Sequence, residues 1–207
     1  MKAMMIAVAL LSTNAYAASM PEAFDASTVG QPPLGWTCGA TGKGTPHWSV
    51  EADKSAPSGP KVLKQSGSAT YPWCVKNELV VLDGVIEVKF KPIVGKEDQA
   101  GGMVWRWKNS GNYYVARANA LEGNVSLYYM KNGSRQTIVY KDAPVALHRW
   151  HTLRVIFIGT AIQIALDGKT YIDLQDSHIS GAGQVGVWTK ADSMTLFDEF
   201  SYSQSIP

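Results

Sequence analysis

Long apolar runs, charge of one sign and cysteine are all scarce in this 207-residue chain, and each shortage excludes something. Past residue 17 no stretch approaches the roughly 20 apolar residues of a membrane-spanning helix, so no membrane insertion is expected there. Lys and Arg number 19 against 17 Asp and Glu. That near-balance builds no field for nucleic acid, and no block of like charge suggests a binding tail. The four histidines, His47, His148, His151 and His178, are scattered without zincin or triad spacing. There is no GxSxG elbow and no phosphate-cradling glycine loop, and helical periodicity is nearly missing. Only "ANALEG" (118–123) has room for a helical turn.

The first residues read as an export leader. Lys2 is a short positive region, Met4 to Leu11 an apolar run, and Ala15-Tyr16-Ala17 the small-x-small form that signal peptidase cuts. Cleavage is expected after Ala17, leaving residues 18–207 as one domain and a periplasmic or secreted protein. No cysteine follows closely enough to carry a lipid. Export gives Cys38 and Cys74 a meaning, because two cysteines in an oxidising compartment most simply pair. Closing a loop of about 35 residues would contribute roughly 3–4 kcal/mol in the chain-entropy model. The alternative is two separate buried thiols. Neither cysteine has a CxxC or Cys/His neighbour, so no metal site is expected at them.

What the chain does have is glycine (19), proline (10) and tryptophan (7), the composition of many turns joined by short strands. Residues 18–60 read as an irregular opening dense in Gly and Pro, broken by a strand at "HWSVEAD" (47–53). Strands then follow at short spacing. "GVIEVKFKP" (84–92) sends Ile86, Val88 and Phe90 to one face and Glu87 and Lys89 to the other, and ends at Pro92. "MVWRWK" and "NYYVARAN" form a hairpin about "NSG" (109–111), and "NVSLYYMKNGSRQTIVY" (124–140) a second with its turn at "NG". About a dozen antiparallel strands without helices mean a sandwich or barrel. The two-layer sandwich fits better, because "VIFIG" and "AIQIAL" read as inner strands apolar on both faces.

Strict alternation sorts the first hairpin. With "NSGN" as a four-residue loop, Arg106 faces Val115. Met103, Trp105, Trp107, Tyr114, Ala116 and Ala118 then form a core layer. Val104, Arg106, Lys108, Tyr113, Arg117 and Asn119 share the other face. Two guanidinium groups one strand apart need an anionic or strongly polar partner, either a protein carboxylate such as Glu87 or a ligand. A polar groove floored by arginine and tyrosine would bind sugars through planar hydrogen-bonding groups and an aromatic ring. A salt-bridged brace across the sheet is the alternative. Trp188, Lys190 and Asp192 fall in a loop near Asp198 and Glu199. That loop could gather carboxylates for Ca²⁺ or acid/base work, or be a crossover with solvated charges.

The segments "RWKNSGNYYVARANALEGNV" (106–125) and "VGVWTKADSMTLFDEF" (185–200) resemble exported bacterial proteins of the concanavalin A-like lectin/glucanase superfamily. That group is related to family 16 glycoside hydrolases and to the 3-keto-disaccharide hydrolase domain. The likeness runs from about Gly35 to Phe200. It implies an all-β jelly roll of two curved antiparallel sheets, with a concave face that binds carbohydrate in many relatives. Arg106, Arg117, Asn119 and Asn124 fall in the characteristic segment and are the groove residues it implies. The E-x-D-x-x-E strand that supplies the nucleophile and acid/base of the glucanases is absent. "KEDQ" and "FDEF" place their acids side by side, which on a strand sends them to opposite faces. The expected function is therefore carbohydrate or glycan binding by a monomer, through Glu87, Arg106, Tyr113, Arg117, Asn119, Asn124, Trp188 and Lys190. No cofactor is required, although Ca²⁺ remains open. A glycoside hydrolase or lyase in the same groove, or an envelope interaction domain without a sugar ligand, are the other readings.

Overall fold

The computed structural model describes residues 16–18 and 21–205, so the leader expected at 1–17 lies outside the described residues up to position 15. The strands are β1 (Tyr16–Ala18), β2 (Trp36–Thr45), β3 (Trp48–Ala52), β4 (Lys61–Gln65), β5 (Ser68–Val81), β6 (Gly84–Val94), β7 (Ala100–Asn109) and β8 (Asn112–Asn119). They continue with β9 (Asn124–Lys131), β10 (Ser134–Asp142), β11 (His151–Ile158), β12 (Ala161–Leu166), β13 (Lys169–Gln175), β14 (Gly183–Trp188) and β15 (Met194–Ser205). Among the described residues there is no helix, and "ANALEG" forms only a turn. There the Asn119 side chain accepts the Leu121 N–H at 2.9 Å. The short β1 runs across the Ala17–Ala18 bond expected to be cut and pairs with Ser203–Ser205.

Two antiparallel sheets make a jelly-roll sandwich. One runs β13-β12-β11-β6-β15-β4-β3 with β1 beside β15, and the other β10-β9-β8-β7-β14-β5-β2. The chain crosses between layers repeatedly: β3, β4, β6, β11–β13 and β15 lie in the first, and β2, β5, β7–β10 and β14 in the second. The core lies between them, where Ile86, Val88 and Phe90 of β6 meet Met103, Trp105 and Ala116 of β7 and β8. Gly101 is needed at that contact, because a Cβ there would stand 2.1 Å from Phe90 Cδ2. Cys38 and Cys74 are directly opposed on β2 and β5 and form a disulfide.

Three expectations need correction. First, β6 does not stop at Pro92. It continues two residues to Val94, with Pro92 paired to Thr195 of β15. Pairing with β11 has already ended at His151–Phe90, so the missing N–H faces no strand partner. Second, β11 and β12 are not apolar-buried on both faces, since Ile156 is half-buried and Ile158 is 37% exposed. The strands buried on both faces are β7, β8, β9 and β14. Third, the opening segment is not irregular throughout, for it contains the ten-residue β2.

Candidate binding site

The second sheet has a packed outer face, and alternation explains which residues reach it. With Met103, Trp105, Tyr114, Ala116 and Ala118 turned to the core, Val104, Tyr113, Val115 and Arg117 must turn away. The register aligns Trp73, Trp188, Gly102, Arg117, Ser126 and Tyr140 in one row across six strands. Gly102 leaves room for the indole beside it: a Cβ there would stand 3.3 Å from Trp188 Cε3. The result is a second apolar layer of Trp73, Val104, Tyr113, Tyr128 and Trp188. Tyr113 lies in this layer as expected, but its hydroxyl is 2.7 Å from Thr41 Oγ1 and burial pushes its pKa up to about 12. It stays a neutral, internally satisfied phenol.

Arg106 does not share this face. At Arg106 the backbone turns left-handed (φ 48°) and the pairing of β7 with β8 jumps from Trp105–Tyr114 to Asn109–Asn112. Val104, rather than Arg106, is therefore the partner of Val115. The bulge is accommodated by β14, where a Cβ on Gly183 would stand 2.5 Å from the Arg106 carbonyl carbon. Arg106 then turns inward, its guanidinium 5.9 Å from the core ring of Phe157. It donates to Ile179 O (3.0 Å) and Gly159 O (2.6 Å) and pairs with Asp83 at 3.4 Å. Trp107 moves outward instead, its ring 5.2 Å from Trp73. The two arginines thus sit on opposite sides of their sheet, and a groove floored by both does not exist. Arg106 is a clip closing one end of the sandwich.

Arg117 organises the outer face. It is 1% exposed, with Nη1 3.4 Å from Asp98 and Nη2 bonded to Glu122 and to Asn124 Oδ1 (3.1 Å). Asn119 donates to Asp98 at 2.8 Å, and Lys190 Nζ lies 2.5 Å from the same carboxylate. Four of the expected residues, Arg117, Asn119, Asn124 and Lys190, therefore meet in one cluster. Burial pushes the Asp98 carboxyl above its usual range against the pull of Lys190 and Arg117. Partial burial raises Glu122 as well, but bonds from Asn124 and Arg117 more than offset it and leave the group below its usual range.

Glu87 is not in this cluster; it pairs with Arg154 (3.1 Å) on the outer face of the other sheet. Trp188 is fully buried, with Tyr71 stacked on it at 5.8 Å. Asp192 accepts the N–H groups of Lys96, Glu97 and Asp98, holding the loop that carries Asp98. Left-handed backbone at Glu199 (φ 50°) puts its carboxylate on Lys89, so Asp198 and Glu199 share a face rather than dividing across the strand. Asp198 is nevertheless buried under Ser58. Among the described residues no group of three His, Cys, Asp or Glu side chains is placed to hold a metal ion.

Beside the Arg117 cluster lies a cleft of ≈ 350 Å³ lined by Lys43, Thr70, Tyr71, Glu97 and Lys190. Tyr71 presents a half-buried ring backed by Trp188, and the Arg135 guanidinium lies 5.1 Å from it. The cleft therefore offers an aromatic ring together with two ammonium groups, a carboxylate and a hydroxyl on its lining. Tyr71, Glu97, Asp98, Glu122 and Arg135 were not read from the sequence as site residues. Glu122 alone left a local signal, five positions after Arg117 in the turn that β8 enters.

No protein-family model and no curated protein matches this chain. Solved structures do. The carbohydrate-binding module CBM66 from Bacillus subtilis aligns with TM-score 0.66 and 22% identity, over 81% of this chain and 94% of that one. A Bacillus subtilis protein of unknown function with a galectin-like fold gives 0.64 and 12%, over 93% and 99%. The Bacillus licheniformis β-glucanase gives 0.61 and 12%, over 94% and 100%. At these identities the likeness carries the fold alone, a two-sheet jelly-roll sandwich, and no residue role.

Proposed function

We propose that this protein is an exported carbohydrate-binding module that holds a glycan on the outer face of its second sheet, in the cleft between Tyr71 and the Arg117 cluster. One observation carries the reading: a half-buried aromatic ring, backed by a buried indole, lines the same cleft as Lys43, Thr70, Glu97 and Lys190, and Lys190 ties that cleft to the buried Asp98–Arg117 cluster. An aromatic plane takes the apolar face of a pyranose, and the ammonium, hydroxyl and carboxylate groups of Lys43, Lys190, Thr70 and Glu97 on the same lining take its hydroxyls. A carbohydrate-binding module among the structures of like fold supports the reading. The disulfide and the leader-like first 17 residues support export to the periplasm or medium.

A hydrolase is the second reading, and one observation favours it. Asp98 and Glu122 both lie within 3.5 Å of Arg117 Nη1, and their carboxyls are pushed in opposite directions, as in an acid/base pair. Burial weighs against it. Asp98 is 0% exposed and bonded to Arg117, Asn119 and Lys190, so no substrate oxygen reaches it without displacing a protein partner. A glycan-array screen of the mature protein, with a reducing-sugar assay on every hit, tests both readings. Retention without release of reducing ends supports binding, and steady release that Glu122→Gln abolishes supports hydrolysis. No retention on any glycan refutes the proposal.

A further inference from the structure

The other arginines that brace this fold are neutralised by carboxylates: Arg106 by Asp83, Arg117 by Asp98 and Glu122, Arg154 by Glu87. Arg135 is different. Its guanidinium lies over two phenol rings, 4.4 Å from Tyr128 and 5.1 Å from Tyr71. Its Nη1 is enclosed without a hydrogen-bond partner. Among the described residues it joins no ion pair, and neither does Lys43 on the lining of the adjoining cleft. Two ring contacts and an enclosed Nη1 shed part of the water that would hydrate the cation, and cation–π attraction compensates only partly for a missing counter-charge. Glu97 also lines the cleft without an ion pair, so one free carboxylate shares the lining with the unpaired Lys43, and Arg135 reaches the cleft through the Tyr71 ring.

We propose that the ligand of this cleft is an anionic sugar, whose carboxylate or sulfate ester is the missing partner of Arg135. A guanidinium presents a planar fork suited to either oxyanion, and a partly desolvated one gains more from charge than from a neutral hydroxyl. Lys43 supplies a second point charge at the rim, and Tyr71 carries the ring face of the same residue. Glu97 sets an opposing field that favours ligands with few charges over polyanions. This inference rests on the carbohydrate-binding reading above.

The test uses the full mature protein on an array bearing uronate, sulfate-ester and neutral oligosaccharides, followed by titration of the best hit and its uncharged counterpart (the methyl ester of a uronate, or the desulfated sugar). The acid is expected to bind at least tenfold more tightly than its counterpart. Arg135→Met, which keeps an apolar stem on the tyrosines, should remove that difference, and Arg135→Lys should restore part of it. Glu97→Gln, on an exposed side chain, should raise the preference for the acid over its counterpart about threefold. The array and its follow-up distinguish uronate from sulfate. Equal affinity for acid and counterpart, or hits confined to neutral glycans, overturns the charge assignment while the sugar-binding reading stands. An array without hits removes both.

Discussion

Replacing Arg106 by methionine should unfold the protein at lower temperature without touching glycan retention. The methionine fills the space of the arginine stem but loses three polar contacts, with the Ile179 carbonyl at 3.0 Å, the Gly159 carbonyl at 2.6 Å and Asp83 at 3.4 Å. Bonds to a charged donor contribute about 1.5–3 kcal/mol each, but such terms are not additive within one side chain. Asp83, 27% exposed, regains water and keeps its bond from Gly159 N–H at 2.7 Å. The Ile179 bond is buried and its carbonyl is left without the guanidinium, so we place the total near 3 kcal/mol. In a chain of this size that corresponds to a fall of about 6–12 °C in Tm. Scanning calorimetry reads the shift, and array retention reads the site. A Tm within about 1 °C of wild type together with lost glycan retention would refute the placement of Arg106 as a clip.

Gly101→Ala forces a Cβ to 2.1 Å from Phe90 Cδ2 and should cost about 1–3 kcal/mol in urea unfolding; Phe90→Leu in the same chain should recover part of it. An unchanged midpoint contradicts that inter-sheet contact. Cys38→Ala with Cys74→Ala should lose about 3–4 kcal/mol, from a cross-link spanning 36 residues, and reducing agent should then have no further effect. Asp192→Asn tests the loop that carries Asp98. The Asp192 carboxyl is held below its usual range by backbone N–H bonds, so its stabilising share is present above the unfolded value near 4 and lost as pH falls through the folded one. The stability gap between wild type and variant should therefore close on acidification. A gap that stays constant from pH 7 to about 2 counts against this role for the Asp192 carboxylate.

The layered fold was legible because period-two patterning survives in most strands. β6 and the two hairpins built on β7–β8 and β9–β10 lie where alternation and turn residues put them. β2 was hidden by its glycines, which read as turn formers. In the structure Gly39 serves close approach instead, for a Cβ there would meet the Trp73 ring at 2.9 Å. The bulge at Arg106 left no mark at its own position, since the residue that permits it, Gly183, is on β14. That one departure moved Arg106 off the expected face and brought Trp107 onto it. Long-range pairing accounts for the rest: Asp98 reads as one acid of a solvated loop until Lys190, 92 residues away, is folded onto it. Arg135 acquires meaning only from Tyr71 and Tyr128 on other strands.

Titration calorimetry of a retained glycan against wild type and Tyr71→Ala is the most direct measurement of sugar binding on this face. Removing the half-buried ring should weaken binding at least tenfold, about 1.4 kcal/mol, while Tm moves by no more than about 4 °C. Undiminished affinity in the Tyr71→Ala protein would show that the glycan is held elsewhere on the molecule.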